Sequence, residues 1–202
     1  MIGAYNLAKS HFEQLDAKKS DLKAFSNTII DCAWGQNMRI SRSRRTKTKR
    51  KSLSQTISIG NAVDEYFTSG TTEDLSGQAI GNAMKVALAK AGLKIRSTQE
   101  EWVHEAAKYV AVCDLLCEDV KGEVVIVECK TGYEIDRNMD IARLQASLQS
   151  LAYAAVYFTQ PPRSYVLRCR SSGRKAELCE VKAKYVQMAK VIVNARIKPT
   201  HE

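Results

Sequence analysis

The sequence predicts an α/β (α+β) domain, a central mixed β-sheet flanked by helices, with further helices and a basic arm on its N-terminal side. Three observations predict it. Apolar residues recur at helical spacing before residue 92 and after residue 138. Short Val- and Ile-rich runs separated by polar, turn-like clusters lie between them. The segments run helices, three strands, helix, two strands, helix, an order that places helices against a sheet. At 202 residues and 45% hydrophobic, the chain can bury one sizeable core. The division that follows is 1–38 for N-terminal helices, 39–54 for the arm and 55–202 for the main domain.

Each element has its own signal. Leu7, Phe12, Leu15, Leu22, Phe25, Ile29 and Ile30 predict two short helices within 3–33. Arg39, Arg42, Arg44, Arg45, Lys47, Lys49, Arg50 and Lys51 follow without an acid among them and account for nearly all of the net charge of +9. The surrounding stretch, 41–54, is dominated by Ser, Thr, Lys and Arg and predicts a solvated loop or arm. Composition fits a linker, a phosphate-binding arm or a nuclear-import signal equally well. Ile57 to Phe67, entered through Gly60, and Gly77 to Ala91, ended by Gly92, predict two helices. Glu101–Val103, Tyr109–Leu116 and Glu123–Lys130 predict a β-meander. Residues 138–158 carry a helical pattern stopped by Pro161-Pro162. Tyr165–Arg170 and Ala176–Val181 predict two strands around Ser171-Ser172-Gly173, and a last helix runs from about Lys182 to Ala195.

Composition excludes several classes. No apolar run approaches the ~18 residues that span a membrane, and the first residues lack a signal peptide's basic flank and apolar stretch. The expectation is a soluble, intracellular protein with no membrane partner, nuclear if the basic run acts as an import signal in a eukaryotic host. Six scattered cysteines read as small buried residues, not a disulfide framework. Cys113-x3-Cys117 has no second pair to complete a zinc site.

The chemistry concentrates between Tyr109 and Gly132. Acid-x-Lys occurs five times in the chain, but only Glu128-Cys129-Lys130 ends an apolar strand, Val124–Val127. Alternate residues of a strand share a face, so Glu128 and Lys130 point together while Cys129 points away. Asp114 ends the preceding apolar run, and an antiparallel pairing through the Glu118–Gly122 turn sets it beside Glu128. Two carboxylates brought together this way are costly unless a cation lies between them, and their hard oxygens suit Mg²⁺ or Mn²⁺. With Lys130 orienting a water and offsetting developing charge, the set suits phosphodiester hydrolysis. The same residues also fit a turn at Asp114 and a solvated Glu128–Lys130 pair.

Acid, hairpin and Glu128-x-Lys130-Thr131-Gly132 together resemble the PD-(D/E)XK nuclease superfamily, in particular its RecB-like and lambda-exonuclease-like branch. Gln149-x-x-x-Tyr153, on the following helix, matches a further signature of that branch, and i, i+4 spacing puts both on one helix face. Gly60 followed four residues later by Asp64 matches an upstream helix that supports the metal, with Glu65 an alternative to Asp64. The resemblance covers roughly 57–158. It implies a restriction-endonuclease-like core and a magnesium- or manganese-dependent deoxyribonuclease, an exonuclease before an endonuclease, serving DNA repair, recombination or viral genome processing. Asp114, Glu128, Lys130, Gln149 and Tyr153 are the catalytic candidates it implies, with Asp114, Glu128 and Asp64 on the metal. DNA would be held by Arg42, Arg44, Arg45, Lys47, Lys49, Arg50 and Lys51 and by Arg143 beside the cleft. Arg137, Arg163, Arg168, Arg170, Arg174 and Lys175 could contact phosphates or be plain surface charge. Some relatives carry an iron–sulfur cluster; here Cys32 precedes the core and only Cys169 and Cys179 follow it, too few ligands. The competing reading is a catalytically inactive nucleic-acid-binding protein that relies on the arm.

Overall fold

The computed structural model describes residues 2–17, 53–131, 139–170 and 175–197. In chain order the elements are β1 (Ile2–Gly3), α1 (Ala4–Ala17), α2 (Leu53–Ser69), α3 (Leu75–Lys90), β2 (Lys94–His104), β3 (Tyr109–Glu118), β4 (Val124–Thr131), α4 (Met139–Tyr157), β5 (Arg163–Cys169), β6 (Ala176–Glu180) and α5 (Ala183–Arg196). Among the described residues this is a mixed six-stranded sheet flanked by five helices, in agreement with a restriction-endonuclease-like core.

Pairing runs β2-β3-β4-β5-β6. β2–β3, β3–β4 and β5–β6 are antiparallel, whereas β4 and β5 are parallel because α4 carries the chain back over the sheet. β1 adds a short parallel pairing, Ile2 opposite Tyr109 and Gly3 opposite Val110. Two apolar layers enclose the sheet. Ile126, Val166 and Trp102 pack under α1, α4 and α5, and Val125, Val127, Leu167 and Cys169 pack under α2 and α3. The odd-numbered residues of β3 divide between them: Tyr109, Ala111 and Cys113 join the first layer, Leu115 and Cys117 the second. The strand therefore turns over at Asp114, where its neighbour β2 holds Gln99 at φ 53° between the pairs Thr98–Leu115 and Glu100–Cys113.

Several expectations need correction. β2 extends back to Lys94, well before the expected Glu101, because it is an edge strand whose Lys94, Arg96, Gln99 and Glu101 stay exposed and mask the apolar signal. Helix α2 begins at Leu53, inside the stretch read as arm. Asp114 lies within β3, which continues to Glu118, and does not end it. α4 stops at Tyr157, with Phe158 in the left-handed region at φ 53°, short of the prolines. The second N-terminal helix, Cys32, Arg137, Arg174 and the basic run from Arg39 to Lys51 lie outside the described residues. Among those described, no helix is long and apolar enough to cross a membrane.

Candidate active site

β4 pairs with β3 only as far as Val127, then follows β5 alone to Thr131. The strands part where β3 turns over, and a cleft of about 340 Å³ opens at the parting. Tyr5, Gly60, Val63, Asp64, Asp114, Glu128, Cys129, Lys130, Thr131 and Gln145 line it. Asp114 bridges the gap, its Oδ2 accepting from the Cys129 N–H at 2.7 Å.

Glu128 and Lys130 share a face as period 2 requires, and they form an ion pair, with Glu128 only 1% exposed. Cys129 packs in the opposite layer. Glu128 is held from both sides: Lys130 donates to Oε1, and Gln149 Nε2 donates to Oε2 at 2.6 Å while also donating to the Val112 carbonyl at 2.7 Å. Gln145, one turn earlier on α4, accepts from Lys130 Nζ at 3.3 Å. Lys130 Nζ also lies 5.7 Å from the centre of the Tyr5 ring.

Asp64 enters from α2 and lines the cleft, whereas Glu65 turns outward to accept from Thr72 Oγ1 at 2.8 Å. Of the two acids allowed by the sequence, Asp64 is the one at the site. Desolvation, then the neighbouring Glu128, raises the Asp64 carboxyl above its usual range against an opposing pull from Lys130. Asp114 is raised well above the usual range, first by desolvation and then by Glu128, with Lys130 and the Cys129 N–H pulling the other way. Burial alone would lower the Lys130 ammonium, but Glu128 and Asp114 outweigh it and the net shift is upward, so Lys130 stays charged.

The acids therefore outnumber the cation in a confined space. The Asp64 carboxylate and the second carboxylate oxygen of Asp114 accept no hydrogen bond among the described residues. No three His, Cys, Asp or Glu side chains among them stand at closed metal-ligand spacing. The fit to a divalent ion is one of kind and charge: hard carboxylate oxygens and an uncompensated negative excess, the donor chemistry that Mg²⁺ and Mn²⁺ select. Asp64, Asp114 and Glu128 are the acids that line the cleft.

Not every candidate meets here. Tyr153 packs edge-on to Trp102 at 5.2 Å and against Tyr157 at 4.5 Å, away from the cleft lining. Arg143 pairs with Asp140 at 2.9 Å and reaches the Tyr185 hydroxyl at 3.5 Å, tying α4 to α5. Arg163 pairs with Asp119 and Glu123 beside the β3–β4 turn, and Arg168 with Glu177. Cys113 and Cys117 pack in different layers. Sequence reasoning missed Gln145 and Tyr5. Gln145 stands four residues before Gln149 on the same helix face, a spacing that would have found it. Tyr5 had no such signal, since the pairing of β1 with β3 brings it in.

No protein-family model matches the chain, and no curated protein matches it. Solved structures do. A protein from Eubacterium rectale named "Putative exonuclease" superposes with a TM-score of 0.52 at 13% identity, over 71% of this chain and 65% of its own. The likeness is one of fold. This chain thus spans just under two thirds of that relative. A second structure, that of SSO0001, gives a TM-score of 0.35 at 13% identity over 62% of this chain and 60% of its own, and carries no argument.

Proposed function

We propose that the chain is a divalent-metal-dependent deoxyribonuclease of the PD-(D/E)XK type, acting as an exonuclease. The observation that carries the reading is the meeting of Asp64, Asp114, Glu128 and Lys130 in one cleft at the parting of β3 and β4. The fold shared with the protein named "Putative exonuclease" supports it.

In this reading Asp64, Asp114 and Glu128 hold Mg²⁺ or Mn²⁺. The ion would polarise the scissile phosphate and lower the pKa of a bound water. Lys130 offsets the charge that develops on the phosphoryl oxygens, and its ammonium is kept in place by Glu128 and Gln145. Gln149 fixes Glu128 and is a positioning residue. The basic run, Arg42 to Lys51, would hold DNA phosphates, with a strong dependence on salt. Roles in repair, recombination or genome processing belong to the same proposal.

End-labelled linear and covalently closed circular duplex DNA, each with Mg²⁺ or EDTA, test it. The expected result is magnesium-dependent loss of the linear DNA, sparing of the circle, and a fall of about 10²- to 10³-fold or more for Lys130→Ala. No cleavage with any divalent metal, with binding intact in both proteins, would leave a nucleic-acid-binding protein in its place.

A further inference from the structure

We propose that Tyr5 stacks on the unpaired base of the terminal nucleotide, so that the cleft takes a single-stranded or frayed end. The proposal rests on the nuclease reading of the cleft and names the form of substrate it accepts.

Tyr5 is 44% exposed at the start of α1 and forms one wall of the cleft. It is the aromatic residue among the described lining, which otherwise consists of carboxylates, small residues, Gln145 and Lys130. Its backbone is firmly held. Gly3, two residues earlier, pairs with Val110 of β3, and Ala4, Leu7 and Ala8 are buried against the core under the same turn of helix. The ring is therefore carried by a fixed support and stays partly exposed, as a stacking platform requires.

The position of the ring relates it to the chemistry. Its centre lies 5.7 Å from Lys130 Nζ, the group proposed to meet the scissile phosphate, so a base on this ring and its own phosphodiester reach the cleft together. The charge balance calls for such a contact. With Asp64, Asp114 and Glu128 around a single ammonium, the cleft repels phosphates that no metal ion compensates, and an uncharged aromatic face adds affinity without adding to that repulsion. A cleft of about 340 Å³ is at the small end of sites that enclose one small molecule. A base inside a duplex has both faces covered by its neighbours. Only a terminal or unpaired base can offer one to Tyr5.

The test combines a substrate change with a protein change. Single-stranded oligonucleotides carrying either a normal or an abasic terminal nucleotide are cut in Mg²⁺ by wild type, Tyr5→Phe and Tyr5→Ala. The same oligonucleotides are bound in Ca²⁺ and followed by fluorescence anisotropy. Stacking predicts that Tyr5→Ala raises KM and Kd about 5- to 100-fold on the normal end and leaves the abasic end unchanged, while Tyr5→Phe behaves as wild type. Tyr5→Leu, which keeps bulk against the helix without an aromatic face, gives the same contrast should Tyr5→Ala lose its thermal transition. Equal losses on both ends, or none on either, overturn the proposal. Wild type that binds in a base- and Tyr5-dependent way yet cuts nothing sustains the stacking site and removes the nuclease reading.

Discussion

Glu128 accepts from Lys130 and Gln149, and Gln149 serves Glu128 and the Val112 carbonyl with one amide nitrogen. That double duty fixes the amide's orientation and leaves the buried Gln149 Oε1 with no hydrogen bond among the described residues. An unmet buried acceptor costs about 1–3 kcal/mol, an expense consistent with a group held for function and not for stability. Asp114 yields a prediction with a defined sign. Its folded-state pKa is raised by desolvation and Glu128, so the unfolded chain ionises first, and the fold loses stability as pH climbs from the ordinary carboxylate range through the raised value. In EDTA, Asp114→Asn, which can still accept from Cys129 N–H, should melt several degrees above wild type near neutral pH. The difference should vanish below pH ~4, the ordinary aspartate range. A thermal-melt series against pH checks this, and a variant less stable at every pH would contradict it. The pairing of Glu128 with Lys130 was legible from strand period alone. That Tyr153 turns to Trp102 was not, because i, i+4 spacing gives a shared helix face and not the depth at which each residue sits.

Asp64 reaches the cleft because α2 and α3 approach closely. The approach depends on two glycines one turn apart: a Cβ on Gly77 would lie 2.5 Å from Ala62 Cβ, and one on Gly81 2.2 Å from the Tyr66 ring. Gly60, on α2 beside the cleft, meets nothing nearer than Thr131 Oγ1 at 3.9 Å. Gly77→Ala and Gly81→Ala should therefore each cost about 1–3 kcal/mol or more through overpacking, lowering the melting temperature by roughly 2–4 °C per kcal/mol. Gly60→Ala should leave stability unchanged or raise it by up to about 1 kcal/mol through helix propensity. Urea or thermal unfolding of the three variants checks the contrast, and similar costs at all three positions would contradict it. The end of α3 was readable from local chemistry, Gly92 taking φ 68° just past it, but its start was read at Gly77 and lies at Leu75, where Asp74 accepts from Ser76 and Gly77 N–H. The overturning of β3 at Asp114 was not, since it depends on Gln99 in the neighbouring strand taking a left-handed conformation that no pattern in its residue types announces.

Over the whole molecule, charge is divided. The net +9 arises almost entirely from the run Arg39 to Lys51, while the cleft gathers acids around one lysine. Such a division suits the proposed binding of a polyanion, with the basic run supplying the attraction. The β2–β3–β4 meander, the helix after it and the mixed character of the sheet followed from hydrophobic period, whereas the parallel pairing of β4 with β5 came only from the structure. The contribution of Tyr5 depended on contacts between residues distant in sequence, whereas Asp64 was named by its spacing from Gly60. The claim that joins all of these is that the carboxylates of the cleft share one divalent cation, and it is the more exposed because Glu128 has both oxygens engaged and no three ligands stand at closed spacing among the described residues. Calorimetric titration of Mn²⁺ into the metal-free protein tests it most directly. The prediction is saturable Mn²⁺ binding in wild type, weakened about tenfold or more in Asp114→Asn and in Glu128→Gln, a loss of about 1.4 kcal/mol or more. Absence of saturable binding, or binding that both substitutions leave unchanged, would contradict a cation site in this cleft.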